Sequence, residues 1–155
     1  LTGGATFSRD RRYRYRLWRR WDRGRPVVAF VMLNPSTADA RRDDPTIRRC
    51  VGFAQRWGYG GIEVVNLYAY RATDPRALRT VRDPVGPGNR RHMRRALRRA
   101  ALVVLAWGAN AHGDRLTGVG QAHCLGLTRA GQPRHPLYLR RDVRPEPYGV
   151  ASRTA

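Results

Sequence analysis

A chain of 155 residues provides for one ordinary domain and is too short for two. Lys+Arg number 31 against 11 Asp+Glu, a formal net charge of +20, while 41% hydrophobic residues suffice for a core and exclude wholesale disorder. No apolar run approaches the roughly 18 residues of a membrane span, and the arginine-studded start lacks the apolar stretch of a signal peptide, so a cytoplasmic protein without a membrane partner is expected.

Residues 11–19, RRYRYRLWR, alternate strictly, with Tyr13, Tyr15 and Leu17 on one face and Arg12, Arg14 and Arg16 on the other. That pattern predicts a half-buried strand. After a turn at Asp22-Arg23-Gly24, the continuous apolar run 26–33 suits a central strand buried on both faces. The two are expected to pair as an N-terminal β-hairpin. Asp43-Asp44-Pro45 then starts a helix, with a carboxylate N-cap and proline at the first helical position. Ile47, Cys50, Val51, Phe53, Ala54 and Trp57 supply its apolar side, and Gly58 ends it.

A second buried strand follows at 61–70, a short helix after Asp74-Pro75, and another helix opening at Asn89. Residues 101–107 predict a third buried strand and 123–127 a fourth. Beyond Leu139 the chain turns polar and proline-broken. The reading is thus a single domain over 1–155, with a folded core at about 7–140 and a loose tail at 141–155. Buried strands alternating with helices predict a three-layer α/β domain around a mainly parallel sheet.

In such sheets ligands sit at the carboxyl ends of the strands. Three polar motifs fall there: Asn34-Pro35-Ser36-Thr37-Ala38-Asp39, Asn66 through Tyr70-Arg71, and Trp107-Gly108. The two cysteines, Cys50 and Cys124, have no CxxC partner, and His92, His112, His123 and His135 show no ligand spacing. Buried free thiols are expected, with no metal and no cofactor.

All 31 basic side chains are arginine, as a GC-rich genome would spell them. Such bias does not account for the scarcity of acids, and a polyanionic partner is one explanation of the excess. The helix RRHMRRALRR serves equally as a solvated face or a phosphate contact, whereas Arg71 and Arg48 lie nearer the expected crevice.

Residues 7–139 resemble domain-of-unknown-function family 1643 through LWRRWD, MLNPSTADA, DDPTIRRC, WGYGG, VVNLYAYRATDP, DPVGPGN, AWG and LGLTRAGQPRHPLYL. A more distant resemblance is to the uracil-DNA glycosylase superfamily, whose motifs arrive in the same order. Leu33-Asn34-Pro35-Ser36 looks like its first-strand loop and Val65-Asn66-Leu67 like its second-strand end. Leu105-Ala106-Trp107-Gly108 looks like its third, and His135-Pro136-Leu137 like its His-Pro-Ser loop, with Leu137 standing where that motif has serine.

The resemblance implies a uracil-DNA-glycosylase-like fold and cleavage of an N-glycosidic bond in DNA, the favoured partner, or in a nucleotide. In that chemistry His135 stabilises the departing base, Asn34 orients a water and Asp39 holds charge against the sugar. Asn66 reads a base edge, and Pro35, Ser36, Thr37, Tyr70, Arg71, Trp107 and Gly108 complete the substrate-binding set. Plainer roles stand beside these. Asn34-Pro35-Ser36 is a good turn, Asn66 can satisfy backbone at a strand end, and Trp107 can be core. Asp43 and Asp44 read as helix caps rather than catalytic carboxylates. A crevice that binds a base or nucleotide without chemistry is the alternative function.

If the charge excess serves a nucleic acid, affinity measured from 50 to 200 mM salt falls by ~0.9 log unit per log unit of salt for each duplex phosphate contacted. Salt-independent affinity would reduce the +20 to composition.

Overall fold

The computed structural model describes residues 1–111, 116 and 119–149. His112, part of the 109–122 segment and residues 150–155 of the expected tail lie outside the described residues. Seven strands form one sheet: β1 (Thr2–Phe7), β2 (Arg14–Arg20), β3 (Val27–Met32), β4 (Gly61–Asn66), β5 (Leu102–Leu105), β6 (His123–Cys124) and β7 (Glu146–Pro147). Two helices, α1 (Pro45–Arg56) and α2 (Asn89–Arg99), and a 3-10 helix at Pro75–Arg79 complete the described elements.

The strand order is β1-β2-β4-β3-β5-β6-β7. Strands β4, β3, β5 and β6 run parallel, while β1, β2 and β7 add antiparallel edges. The sheet is therefore mixed, with parallel pairing confined to its centre, rather than mainly parallel. Helix α1 packs Ile47, Cys50, Phe53 and Ala54 against Leu17, Val28, Phe30 and Val64 on one face. Helix α2 packs Ala96, with Met93 and Leu97, against Ala29, Val31, Val65 and Val103 on the other. The three α/β/α layers follow, and burial of such apolar faces is the main stabilising term.

Three sequence expectations are corrected. Strand β2 does not pair with β3, because β4 lies between them and pairs with both. The N-terminal hairpin is β1–β2 instead. Strand β1 is hard to read from TGGATF, since glycine is a poor strand former. Yet a Cβ at Gly4 would lie 2.6 Å from the Trp18 indole nitrogen, so this close approach needs glycine. The ordered body also reaches beyond 7–140 at its other end. Trp57 Nε1 donates to Val143 O at 3.0 Å, and β7 pairs with β6.

The third correction bears on the site. The β1–β2 register pairs Thr6 with Arg16 but Phe7 with Arg14, so Tyr15 is an extra residue in β2. Such a bulge breaks the alternation of faces. Tyr15 stacks on His92 of α2 at 5.0 Å and on Tyr13 at 6.2 Å, while Leu17 joins the α1 core. Tyr13 and Tyr15 therefore do not share a face with Leu17. Arg14, expected among the outward arginines, is 2% exposed and donates from Nη1 to Ala38 O at 3.0 Å.

Charge inside the sheet is paired across elements. Glu63 of β4 accepts from Arg16 Nε at 2.8 Å and from Arg99 Nη2 at 2.6 Å, tying β2 and α2 together. Arg19 is buried and bonds Asp43 Oδ1 at 2.8 Å, Trp18 O at 2.9 Å and Asp39 O at 2.7 Å. Removing one charge of a largely buried pair leaves its partner uncompensated. Glu63→Gln is expected to lower unfolding free energy by about 1–3 kcal/mol, read as a shift of the urea midpoint. An unchanged midpoint would show that Arg16 and Arg99 are solvated independently of Glu63.

Candidate functional site

The connection leaving β3 leads to α1 on one face, and the connection leaving β4 leads to α2 on the other. Adjacent parallel strands whose chains depart to opposite faces leave a crevice between their carboxyl ends. A pocket of about 350 Å³ opens there, within the size range of small-molecule sites. Met32, Leu33, Asn34 and Ser36 line it from β3, Val64 and Asn66 from β4, and Trp107 and Gly108 from β5. Asp44, Thr46 and Ile47 enter from the start of α1, and His135 and Leu137 from the last loop. Arg14, Thr73 and Asn110 complete its polar lining.

Each side chain is held by local structure. Asn34 lines the pocket, and its Nδ2 donates to Ala72 O at 2.8 Å and Pro35 O at 3.1 Å, clamping two loops. Asn66 is 1% exposed, and its Oδ1 has no hydrogen-bond partner among the described residues. Beneath it, Asn89 does not cap α2 with its side chain. Its Nδ2 turns to the sheet and donates to Asn66 O at 2.8 Å and Leu67 O at 3.3 Å. The helix that opens at Asn89 thereby anchors the end of β4.

Trp107 is buried, and its Nε1 donates to Gln132 Oε1 at 2.8 Å, while Gly108 N donates to Pro133 O at 2.9 Å. These bonds fasten the His135 loop to the end of β5. Gly108 has a φ of 82°, a left-handed conformation that a side chain resists. A Cβ there would also sit 3.4 Å from the His135 Cβ. His135 Nδ1 accepts from Leu137 N at 3.2 Å. That bond places the neutral ring's proton on Nε2. Burial lowers the His135 pKa, opposed by Asp44, so the neutral donor form is favoured at neutral pH.

Of the residues named from sequence, Asn34, Ser36, Asn66, Trp107, Gly108 and His135 line this one pocket. Five do not. Asp39 turns its Oδ1 to Arg41 N and Arg42 N at 2.9 and 2.8 Å, closing its own loop in solvent, and these bonds lower its pKa. Pro35 is engaged through its carbonyl, which accepts from Ala72 N, and Thr37 lies off the pocket lining. Tyr70 stacks edge-on against Tyr13, and Arg71 lies over Phe7 at 4.8 Å and donates to Arg11 O. These two hold the N-terminal segment.

Two charged lining residues lay outside the sequence-derived site. Asp44 is the helix cap its position predicts, accepting from Ile47 N at 2.8 Å, and it lines the pocket as well. Arg14 was hidden by the bulge, which no local alternation signals. On α1, whose Arg49 Nε donates to Pro136 O of the His135 loop at 3.4 Å, a second hollow of about 320 Å³ is lined by Arg48, Arg49, Arg56 and Arg141. Among the described residues no three His, Cys, Asp or Glu side chains gather as metal ligands. Nor is any described helix long and apolar enough to cross a membrane.

Fold and site together define an α/β/α domain with a polar pocket at the switch point of its parallel strands. Within that class, a family model described as "Protein of unknown function (DUF1643)" matches residues 14–137, and the chain belongs to that family. No curated protein and no solved structure matches it.

Burial keeps both His135 and His92 below the ordinary histidine pKa of 6.5. Below that value the unfolded chain takes up protons that the folded chain resists, so stability falls as pH drops through 6.5 toward the folded pKa values. Urea midpoints should therefore decrease from pH 7.5 to 5.5, and less steeply in His135→Asn. An identical slope in the variant would place the imidazole in ordinary solvent.

Proposed function

We propose that this pocket receives a nucleobase, within a nucleotide or flipped from DNA, and that the protein hydrolyses its N-glycosidic bond on a uracil-DNA-glycosylase-like scaffold. The supporting observation is that Asn34, Asn66 and His135, drawn from three separate segments, line one pocket of about 350 Å³. The water oxygen adds to the anomeric carbon as the bond to the base nitrogen breaks. The base leaves with the bonding pair, and the proton released by the water finally neutralises it.

His135 Nε2–H is a pre-placed donor for the charge developing on the base, the kind of group worth ~10²–10³ in rate. The Asn66 side chain reads the base edge, since an amide offers both donor and acceptor. Asn34 holds the water through Oδ1, its amino group being committed to backbone. Asp44, the only carboxylate among the described lining residues, takes the electrostatic role expected of Asp39. With Oδ1 bonded to Ile47 N, it opposes the positive sugar as a fixed charge. The arginines of the neighbouring hollow supply phosphate contacts, dividing positioning from base reading.

A second reading, binding without chemistry, is favoured by the withdrawal of Asp39 from the pocket and by Leu137 at the serine position. Oligonucleotides carrying uracil, T mispairs, hypoxanthine or alkylated bases, together with the matching nucleotides, separate the two. Abasic sites are scored by alkaline cleavage, and free base by chromatography. Turnover should fall about 100-fold in Asn34→Ala and His135→Ala. Turnover indifferent to both substitutions would refute the site, and tight binding with no base release would select the second reading.

A further inference from the structure

Two buried arginines of β2 differ in how completely the protein satisfies them. Arg19, 3% exposed, has its Nε on the Asp43 carboxylate and its Nη atoms on three carbonyl oxygens. Arg14, 2% exposed, has one protein bond, from Nη1 to Ala38 O at 3.0 Å. Its Nε–H has no partner among the described residues, and it forms no ion pair with a carboxylate there. A buried guanidinium with an orphaned donor is unfavourable unless another group completes it. The side chain is not walled off, since it lines the pocket at the strand ends.

We infer that the pocket binds an oxyanion of the phosphate class on Arg14, so that the ligand enters with its anionic group buried rather than held only at the rim. Ser36, Thr46 and Thr73 line the same pocket and bring hydroxyl donors to it. The orphaned Asn66 Oδ1 is a second incomplete group in the same space, and it calls for a donor on the ligand.

The charges around Arg14 are mixed. Asp44 and Asp39 favour its protonated form, while Arg71, Arg19 and above all burial oppose it. Its pKa falls to about 10, which leaves it cationic at neutral pH. Asp44 does not cancel it by contact, because no ion pair joins them and one carboxylate oxygen caps α1. Guanidinium presents a planar fork suited to phosphate oxygens, and a second bond from Nε is the usual way that fork is filled.

This inference rests on the base-binding reading of the pocket and adds where the phosphate goes. A neutral base flipped from a duplex keeps its phosphates outside, whereas a nucleotide with a terminal phosphate can reach Arg14. Inorganic phosphate alone is therefore the first probe. Titrated at constant ionic strength against chloride, it should raise the melting temperature of the full chain saturably, as a ligand specific to the folded state does. Arg14→Gln should weaken that binding by about 10-fold or more. Arg23→Gln, at an exposed position in the turn before β3, should leave it unchanged.

Equal phosphate affinity in wild type and Arg14→Gln overturns the inference, as does the absence of saturable binding to wild type. Should Arg14→Gln not fold, Arg14→Met replaces it. It keeps an unbranched stem without the charge or the fork, and wild-type affinity in that variant overturns the inference equally. Uridine 5′-monophosphate against uridine, and 5′-phosphorylated against unphosphorylated oligonucleotide, then assign the anion to a free nucleotide or to a strand end. Base release is scored separately. Arg14-dependent phosphate binding without base release would defeat the glycosidic reading alone, and base release indifferent to Arg14 would defeat this inference alone.

Discussion

A single extra residue in β2 determines what the pocket contains. Without the bulge at Tyr15, alternation from Leu17 would carry Arg14 to the α2 face with Arg16. With it, Tyr13 and Tyr15 cover that face, and Arg14 enters the crevice. The displaced aromatic residues are well used, for Tyr15 stacks on His92 and Tyr13 donates to Asp83 O at 2.7 Å. Packing on one face thus holds a cation in place on the other. Bulges often re-aim a side chain beside a functional site in this manner.

The remaining walls are built by polar bonds that cross between segments. Asn89 fixes the end of β4, Trp107 and Gln132 fix the last loop to β5, and Asn34 joins the β3 loop to Ala72. The donors of these braces, Asn89 Nδ2, Trp107 Nε1 and Asn34 Nδ2, all find acceptors, as close-packed interiors require. Arg20 Nε, Asn89 Oδ1 and His123 Nδ1 also lack a partner among the described residues, but Arg14 Nε and Asn66 Oδ1 belong to residues that line the pocket. A buried ion costs on the order of several kcal/mol before compensation. Arg14, incompletely satisfied and lining the pocket while every side-chain nitrogen of Arg19 has a partner, is the buried cation that supports the proposed anion site.

Much of this was legible in the sequence, for identifiable reasons. The apolar runs at 26–33 and 101–107 suited buried central strands, which β3 and β5 are, and Asp44-Pro45 marked the start of α1 to the residue. Strand ends in a parallel centre converge, so Asn34, Asn66 and Trp107 could be placed together from pattern, whereas His135 came only through the resemblance to the glycosylase loop. Features set by tertiary context escaped. A two-glycine edge strand is stabilised by Trp18 lying over Gly4, which no propensity anticipates. Insertion of β4 between β2 and β3 is a matter of topology that local pattern does not carry. Asp39 and Asp44 are both capping residues by type, and only the path of the chain decides which faces the pocket.

The arginine excess likewise divides by environment. Arg19 and Arg16 are internal struts, the arginines around the α1 hollow are candidates for phosphate contact, and Arg14 alone among the described arginines lines the crevice. The most direct test of that placement is an arginine Nε–H correlation NMR spectrum recorded during titration with uridine 5′-monophosphate. A slowly exchanging Nε–H resonance, absent from Arg14→Lys, should move together with the Asn66 side-chain amide. Shifts confined to exposed arginines, with the Arg14 and Asn66 signals unmoved, would contradict the account.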